Sequence, residues 1–595
     1  MDVAGLVLSA GSFAIQLGQL GEQLFGSAPA ALPYTASDGE ALGLAMYHEY
    51  RQTTLLANVL SAQKKFNLDG TIFDAMSASD QDMCLAILNR LLRLWSEFRS
   101  FHSSTFTEGG IDPLQTLEDG RVIELNQVKQ IVQDQAHERL TTLLDSAAGW
   151  NSRLERTVRN FTWTCSLEAG SLEETLNRLN TVARDADAEA LDWSTPAMLR
   201  GLSLTISNPA IDRSSLAIRG LRASGDLLDG KNIRPDGVVQ TQIRDKSGTT
   251  KVLVESFPFK KQDESHEDMV LRRVEQLAAL LHVQKSHDFR LPAAFCFAKD
   301  SKRSQFVILF KLAVLTSFQA AEIFTLQSLL QKSPHSRPSL GLRFELAHIL
   351  ARALSNIQSI GWVHQNYRSE NIVFLARPGT TNHAQDIPYS EPWIFGHGTS
   401  RFDNMPSANL YDPDPVRNLY RHPSRWGVPI ERFNKLHDIY SLGVCLLEIG
   451  YWAHIPNLIS RDCAMPKADP MRARQQLLDL SVNPRISNLM GEAYAAITEL
   501  CLRSTTSAFG FEEEQDDKND SLLQQRFSER VVFPLQKATD ALLGRSNLQS
   551  KTGRRRQCLD ARRNREAGDK LFDTVQPDKP VYPSYGLAIS CTIDR

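Results

Sequence analysis

Paired cysteines are missing from this chain of 595 residues. Its eight cysteines are scattered, with no C-x-x-C pair and no Cys/His cluster at the spacing of a zinc site. This pattern argues against a disulfide framework and a zinc finger, and it is typical of a reducing compartment. The N-terminus is apolar but lacks a basic n-region, so we predict no cleavable secretory signal. We therefore expect a cytoplasmic protein.

An excess of either charge is also missing. The formal net charge is −3, with 42% hydrophobic and 23% charged residues, which is an ordinary composition for a soluble protein. A chain with so little net charge has no bulk electrostatic attraction to nucleic acid, so we predict no nucleic-acid partner. Its length predicts two or three domains.

Alternating strand patterns are absent from residues 1–195, which read as helical throughout. Ser79 can cap one helix, a second is predicted from about Val128 to Leu144, and a third begins at Ser171. We therefore predict an all-α bundle over residues 1–195.

The rest of the chain changes character after a predicted linker at residues 196–215. Short apolar runs typical of strands come first in residues 216–545 and helical patterns follow, which indicates an α+β domain. Residues 546–595 carry arginine clusters and no apolar period, so we predict a basic, disordered tail.

One loop in this second domain carries a motif. The stretch Gly361–Phe374 resembles the catalytic loop of protein kinases, H-R-D-L-x-x-x-N followed by a short apolar strand. His364 and Asn371 keep their places, but Asn366 stands where that family has its catalytic Asp. The carboxylate orients and deprotonates the attacking hydroxyl, and an amide cannot take up a proton near neutral pH. Losing a positioned general base removes about 10²–10⁴-fold in rate.

The metal loop of kinases has a degenerate counterpart in Pro392–Arg401. In the register of apolar-apolar-Asp-Phe-Gly-x-x-Arg, the metal-binding Asp is Gly396 and the Phe is His397, while Gly398 and Arg401 match. Asn371 is then the one family ligand left for Mg²⁺, which prefers sites that include one or two carboxylates.

The strand that grips the nucleotide phosphates in kinases resembles Lys251–Glu255. It ends in Glu255 in place of lysine, and a carboxylate ~4 Å from a phosphate oxygen would be repelled by roughly 4 kcal/mol. No G-x-G-x-x-G loop precedes it. The resemblance therefore implies a kinase-like domain without catalytic residues, and we predict no bound ATP or Mg²⁺, with Asn371 as the one candidate contact.

The motifs that form the structural framework of kinases match this sequence better than the catalytic motifs do. Phe433–Glu448 resembles the central helix D-[IV]-[WY]-S-x-G-[VI] of that family, in which Asp438 would hold the catalytic-loop backbone. Its glycine is Gly443, and Ser424 replaces the Glu of the preceding A-P-E motif. With His364, Asn371 and Gly398, these residues imply a bilobal protein-kinase-like fold over residues 216–545.

The N-terminal segment Val3–Gly21 contains no charged residue. As a helix it would be about 28 Å long, close to the ~30 Å of a bilayer core. One interpretation is a buried bundle helix, and the other is a membrane segment that is packed away at rest and released on activation. The candidate membrane-active residues are Leu6, Val7, Leu8, Phe13, Ile15, Leu17 and Leu20.

The opening Met1–Gly11, followed by a helical region and then by a degenerate kinase-like region, is similar to fungal proteins with a HeLo-type (prion-inhibition and propagation) domain. The run Tyr420–Gly443 strengthens this resemblance. It implies a role in heterokaryon incompatibility or cell-death signalling, with conditional membrane association and with homo-oligomerisation through the bundle. We expect a pseudokinase that regulates the bundle together with an unidentified protein partner. A divergent active Ser/Thr kinase and a pure interaction scaffold without a membrane role are the alternatives.

Overall fold

The computed structural model describes residues 15–17, 19–20, 38–68, 70–76, 78–106, 122–167, 171–207, 221–223, 238–245, 248–261, 263–283, 285–316, 321–331, 337–380, 384–402, 414–427, 432–512 and 521–543. These residues divide into two compact units, with the division between Ser194 and Thr195. The described part of the first unit is helical and the second combines helices with β-sheets, so the chain is a multidomain protein with an α+β part. The predicted tail, residues 546–595, lies outside the described residues.

Helices of four to 46 residues build the described part of the first unit, which we call unit 1. They are α1 (Asp38–Ser61), α2 (Ile72–Ala75), α3 (Ala78–Phe106), α4 (Val122–Leu167), α5 (Leu172–Arg184) and α6 (Ala186–Ala190). Helix α4 packs against α1 and α3. It is much longer than the helix predicted from about Val128 to Leu144, because the apolar period continues through Leu154 and Val158, which are both buried. The predicted start at Ser171 is confirmed, since its side chain accepts a hydrogen bond from the Glu174 amide.

A buried hydrogen-bond network crosses the core of unit 1. The Trp95 indole donates to the Thr53 hydroxyl at 3.1 Å, and that hydroxyl donates to Asn151 Oδ1 at 2.7 Å. Asn151 Nδ2 in turn donates to the Glu49 carbonyl at 2.8 Å and to its carboxylate at 3.0 Å. All of these residues are at most 1% exposed. Buried polar groups are costly unless they are hydrogen-bonded, so this network fixes the positions of α1, α3 and α4 relative to one another.

The region predicted as a linker begins with a helix instead. Helix α7 (Ser194–Ser207) places Leu199, Leu202 and Ile206 in the apolar core of the second unit, unit 2. Their spacing of three and four residues forms one helical face. The first half of residues 196–215 is therefore part of a folded core, and residues 208–215 lie outside the described part of the chain.

Three sheets organise unit 2. The strands are β1 (Arg222–Ala223), β2 (Val238–Asp245), β3 (Gly248–Pro258), β4 (Cys296–Asp300), β5 (Gln305–Lys311), β6 (Glu322–Thr325), β7 (Trp362–Val363), β8 (Ile372–Ala376), β9 (Trp393–Ile394) and β10 (Arg401–Phe402). The largest sheet has the order β1-β4-β5-β3-β2, a second has β6-β8-β9, and β7 pairs with β10. Strand β3 lies between β5 and β2, and this central place buries the side chain of Glu255.

Helices surround these sheets. They are α8 (Glu264–His282), α9 (Leu312–Leu315), α10 (Leu326–Leu330), α11 (Leu340–Ser359), α12 (Pro415–Asn418), α13 (Lys435–Tyr451), α14 (Pro470–Ser481), α15 (Pro484–Met490), α16 (Glu492–Arg503), α17 (Thr506–Phe509), α18 (Ser521–Phe527) and α19 (Phe533–Leu542), with a π-helical turn at Ser528–Val532. Helix α13 is buried on every side except at Leu436, which is half-buried. Gly443 permits its close approach to α16, since a Cβ there would lie 3.0 Å from the Leu502 amide nitrogen.

We expect Asn151→Leu to destabilise unit 1 by about 2–4 kcal/mol, because the Glu49 carboxylate and the Thr53 hydroxyl would each lose a buried partner. Urea unfolding of the full chain, followed by tryptophan fluorescence, measures the change. Asn89→Leu, at an exposed position on α3, is the control and should shift the free energy of unfolding by less than about 0.5 kcal/mol. Equal stability of the two variants would contradict the network's role.

Candidate functional site

The loop that follows β7 is anchored on the buried helix α13. The carboxylate of Asp438 accepts hydrogen bonds from the backbone amides of His364, at 2.7 Å, and Gln365, at 2.9 Å. Asp438 is fully buried, and Gln365 adopts a left-handed conformation with φ of 61°. The Ser400 hydroxyl holds the same loop by donating to the His364 carbonyl at 2.8 Å. The two bonds to the Asp438 carboxylate are charge-assisted, and such bonds are about twice as strong as neutral ones. They therefore fix the backbone that carries the candidate site.

Two asparagines join this loop to the segment after β9. Asn366 Nδ2 donates to the Gly396 carbonyl at 3.0 Å, and Asn371 Nδ2 donates to the Asn366 carbonyl at 2.8 Å. The Phe395 amide also joins the two segments, because it donates to the Asn371 carbonyl at 2.9 Å. An amide can donate these bonds whereas an ionised carboxylate can only accept. Asn366, which the sequence matched to the catalytic Asp of kinases, is thus a structural cross-link between the two segments.

Gly396 leaves no room for a side chain. Its φ is 86°, which favours glycine, and a Cβ there would lie 2.2 Å from Asn371 Nδ2. The Asn371 amide therefore fills the space that an aspartate at position 396 would need. At Gly398, by contrast, a Cβ would meet no atom within 4 Å. The side-chain amide of Asn371, which the sequence analysis matched to a kinase metal ligand, is thus bound to the Asn366 carbonyl.

Glu255 reaches the same segment from strand β3. Its Oε1 accepts a hydrogen bond from the His397 amide at 2.5 Å, while Oε2 has no hydrogen-bond partner among the described residues. Burial raises the pKa of Glu255 to about 8, although the backbone amides of His397, Gly396 and Gly398 oppose the shift. The side chain is therefore mostly a neutral acid at pH 7, and it binds the backbone at the start of the turn His397–Thr399.

Two buried histidines, His364 and His397, pack against each other at this segment. The His397 ring stacks on Trp362, with centroids 5.9 Å apart, and meets the His364 ring edge-on at 5.3 Å. Burial lowers the pKa of His364 to about 3, with Arg368 adding to the effect, and burial also lowers the pKa of His397 well below its usual value. Both imidazoles are thus neutral packing groups. Neither is placed to act as a proton carrier at physiological pH.

Sequence reasoning missed the ion pairs of this loop. Glu370 binds Arg368, with Oε2 3.1 Å from its Nε, and Arg417, with Oε1 2.9 Å from its Nη2. These contacts join the catalytic-loop counterpart to α12. Alternating charges at positions 368 and 370 were a signal, but the partner on α12 is remote in sequence.

A second missed group links the loop to the far end of α13. The Tyr420 hydroxyl donates to Glu448 Oε1 at 2.7 Å and lies 2.8 Å from the Ser369 hydroxyl. The Ile455 amide also donates to Glu448 Oε1 at 3.0 Å, and burial raises the pKa of Glu448 to about 7. The available signal was Glu448 itself, a charged residue that follows the apolar run Val444–Leu447 near the end of α13.

The predicted membrane-active residues are only partly described. Leu6, Val7, Leu8 and Phe13 lie outside the described residues. Leu17 and Leu20 are buried whereas Ile15 is 64% exposed, and the Tyr50 hydroxyl donates to the Leu17 carbonyl. Within the described ranges, no helix is both long enough and apolar enough to cross a membrane.

Comparison with protein-family models and with curated proteins gives no match. In the part of the chain that the structure describes, no group of three or more His, Cys, Asp or Glu residues is arranged to hold a metal ion.

We expect Asn366→Asp to destabilise unit 2 by about 1–3 kcal/mol, because a carboxylate would face the Gly396 carbonyl and leave it without a donor. The free energy of unfolding in urea measures this loss. Asn488→Asp, at an exposed position on α15, is the matched control and should be nearly neutral. An Asn366→Asp protein as stable as the parent would show that the amide cross-link contributes little.

The buried acid predicts a pH dependence. Between the ordinary pKa of 4.5 and the folded value of about 8, Glu255 keeps its proton when folded and loses it when unfolded. Its contribution to stability is therefore present at low pH and lost as pH rises through this window, by about 1.4 kcal/mol per pH unit. Glu255→Gln cannot titrate, so its free energy of unfolding should rise relative to that of the parent from pH 5 to pH 8.

Urea unfolding of both proteins at each pH gives this difference, in which the other titrating groups cancel. Glu264→Gln, at an exposed position in the first turn of α8, is the control. Parallel pH curves for the parent and Glu255→Gln would contradict the shifted pKa.

Proposed function

We propose that unit 2 is a protein-kinase-like domain that regulates without transferring phosphate. The support for the fold is the order of its elements, a largely antiparallel sheet followed by helices, together with the anchoring of the loop after β7 by Asp438. That anchoring is what the resemblance to kinases implies for this residue. On the same resemblance, His364, Asn371, Gly398 and Gly443 match the other framework residues of the family.

The observation that carries the proposal is the closed contact between Asn371 and Gly396. A Cβ at Gly396 would lie 2.2 Å from the Asn371 amide, so a metal-binding carboxylate has no room there without rearrangement. Asn366 contributes by donating to the Gly396 carbonyl, and Glu255 by accepting from the next amide. The side chains that the resemblance matches to the base and to the phosphate-binding lysine thus both bind the backbone of the segment after β9, which supports a site that holds neither ATP nor Mg²⁺.

The output of such a regulator is expected to lie in unit 1. The resemblance to fungal HeLo-type proteins suggests incompatibility or cell-death signalling in the cytoplasm, with membrane association on activation. Leu17 and Leu20 are buried, and the Tyr50 hydroxyl binds the Leu17 carbonyl. We infer that this packed position is the resting state of a two-state switch, which a protein partner or bundle oligomerisation would shift.

Nucleotide binding tests the first half of the proposal. Thermal unfolding of the full chain is measured with millimolar ATP, with and without Mg²⁺ or Mn²⁺, beside an active protein kinase as a positive control. We expect no metal-dependent rise in Tm, because the candidate ligands are engaged. A rise that depends on metal would favour the alternative, a divergent active Ser/Thr kinase, and would be followed by a phosphotransfer assay.

Membrane activity tests the second half. We expect Tyr50→Phe, which removes the bond to the Leu17 carbonyl, to increase dye leakage from anionic liposomes several-fold over the parent. Tyr47→Phe, on the same helix, is the control. If neither Tyr50→Phe nor an oligomerised bundle causes leakage, the scaffold alternative without a membrane role is favoured.

A further inference from the structure

Ser424 lies between two histidines at the junction of the segment after α12 and helix α13. It is in the middle of the 3₁₀ turn Pro423–Arg425 and is half-buried. Its Oγ is 2.8 Å from His422 Nδ1 and 3.4 Å from His437 Nε2. The two imidazole rings stack with centroids 5.0 Å apart. A hydroxyl is thus held in contact with ring nitrogens from two different elements.

Backbone amides determine which ring nitrogens carry hydrogen. The Asn434 amide donates to His437 Nδ1 at 3.2 Å, and the Ser424 amide is directed at His422 Nδ1 at 3.4 Å. A neutral imidazole has one donor and one acceptor, so both rings carry hydrogen on Nε2. His437 Nε2 then donates to Ser424 Oγ, and the Ser424 hydroxyl donates to His422 Nδ1. One more proton on His422 would turn both rings into donors toward position 424.

The charge around this hydroxyl is positive. Burial lowers the pKa of His422 to about 4, and the nearby Arg474 guanidinium adds to the shift. Burial likewise lowers the pKa of His437 well below its usual value, with His422 and Arg425 as further causes. Cations therefore disfavour charge on both rings, and an added anion would reverse this effect.

The fold adds to this positive potential. His437 lies in the first turn of α13, a helix of 17 residues whose N-terminal end carries a partial positive charge. The acid of that turn, Asp438, is directed at the amides of His364 and Gln365. Its two oxygens accept these bonds on the side of the helix that holds the loop after β7.

We propose that this cluster is built to receive a phosphoryl group carried by Ser424. A separate protein kinase would form the bond between Ser424 Oγ and the γ-phosphorus of a nucleoside triphosphate. The bond to the nucleoside diphosphate breaks, and the hydroxyl proton passes to the catalytic carboxylate of that kinase. The phosphate oxygens would then accept from His437 Nε2–H and from a protonated His422, at the positive end of α13. This inference does not rest on the proposed function of unit 2.

Such a phosphoryl group would fasten the segment after α12 to α13 more tightly. Tyr420 of that segment binds Glu448, and Arg417 of the preceding helix α12 binds Glu370. A phosphate at position 424 would therefore stabilise the whole connection between the loop after β7 and α13. Unmodified Ser424 contributes only neutral hydrogen bonds, so the modification would strengthen the attachment of this segment to α13.

The test is the full chain with phosphoserine incorporated at position 424 during synthesis, compared with the unmodified chain. We expect a rise in Tm of at least about 2 °C, since one to three new charge-assisted bonds form. In NMR spectra of histidine-labelled protein, the His422 ring should titrate at a higher pH than the value of about 4 in the unmodified chain. Phosphoserine at the exposed Ser507 is the control and should produce neither change.

The same comparison in a His437→Gln background, and separately in His422→Asn, tests the receptor. Each pair differs only by the phosphoryl group, so the gain in Tm should shrink by at least half in both backgrounds. An unchanged or lower Tm with phosphoserine 424 in the parent chain would overturn the proposal. So would an equal rise when inorganic phosphate is added to the unmodified protein, because the site would then take a free anion.

Discussion

The carboxylate of Asp438 is the interaction on which the rest of unit 2 depends. It receives two backbone amides of one loop while its own helix, α13, is buried on nearly every side. A buried charge is tolerated only when it is hydrogen-bonded, so the loop and the helix cannot be separated without a large cost. The loop in turn presents Asn366 and Asn371 to the segment after β9. A buried acid with a structural role therefore organises a region that has asparagine at position 366 and glycine at position 396.

Hydrogen-bond polarity distinguishes asparagine from aspartate at position 366. An ionised aspartate at position 366 could only accept hydrogen bonds, so it could not bind the Gly396 carbonyl. Asn366 donates, and its acceptor is a carbonyl of the neighbouring segment. Glu255 accepts from that segment in the opposite direction. Together these two bonds connect the loop after β7 and strand β3 to the segment after β9.

Buried ionisable groups give this region a second character. The pKa of Glu255 is raised to about 8 and that of Glu448 to about 7, both chiefly by burial. The histidines at positions 364, 397, 422 and 437 are instead held neutral. A fold with so many polar groups inside depends on their protonation states, and it responds to added charge more strongly than an apolar core would.

Periodicity and motif order in the sequence determined the helical character of unit 1, the start of α5, the strands β3 and β5, and the absence of carboxylates at positions 366 and 396. The helices and strands can be predicted locally, because buried residues recur every three to four positions in a helix and every second position in a strand. Only the tertiary structure decided that α7 belongs to the core of unit 2, although the sequence indicated a linker there. The tertiary structure also decided what the substituted residues bind. Asn366 and its acceptor are 30 positions apart, and Glu255 and its donor are 142 apart. Such partners are brought together by packing, which no short-range pattern records.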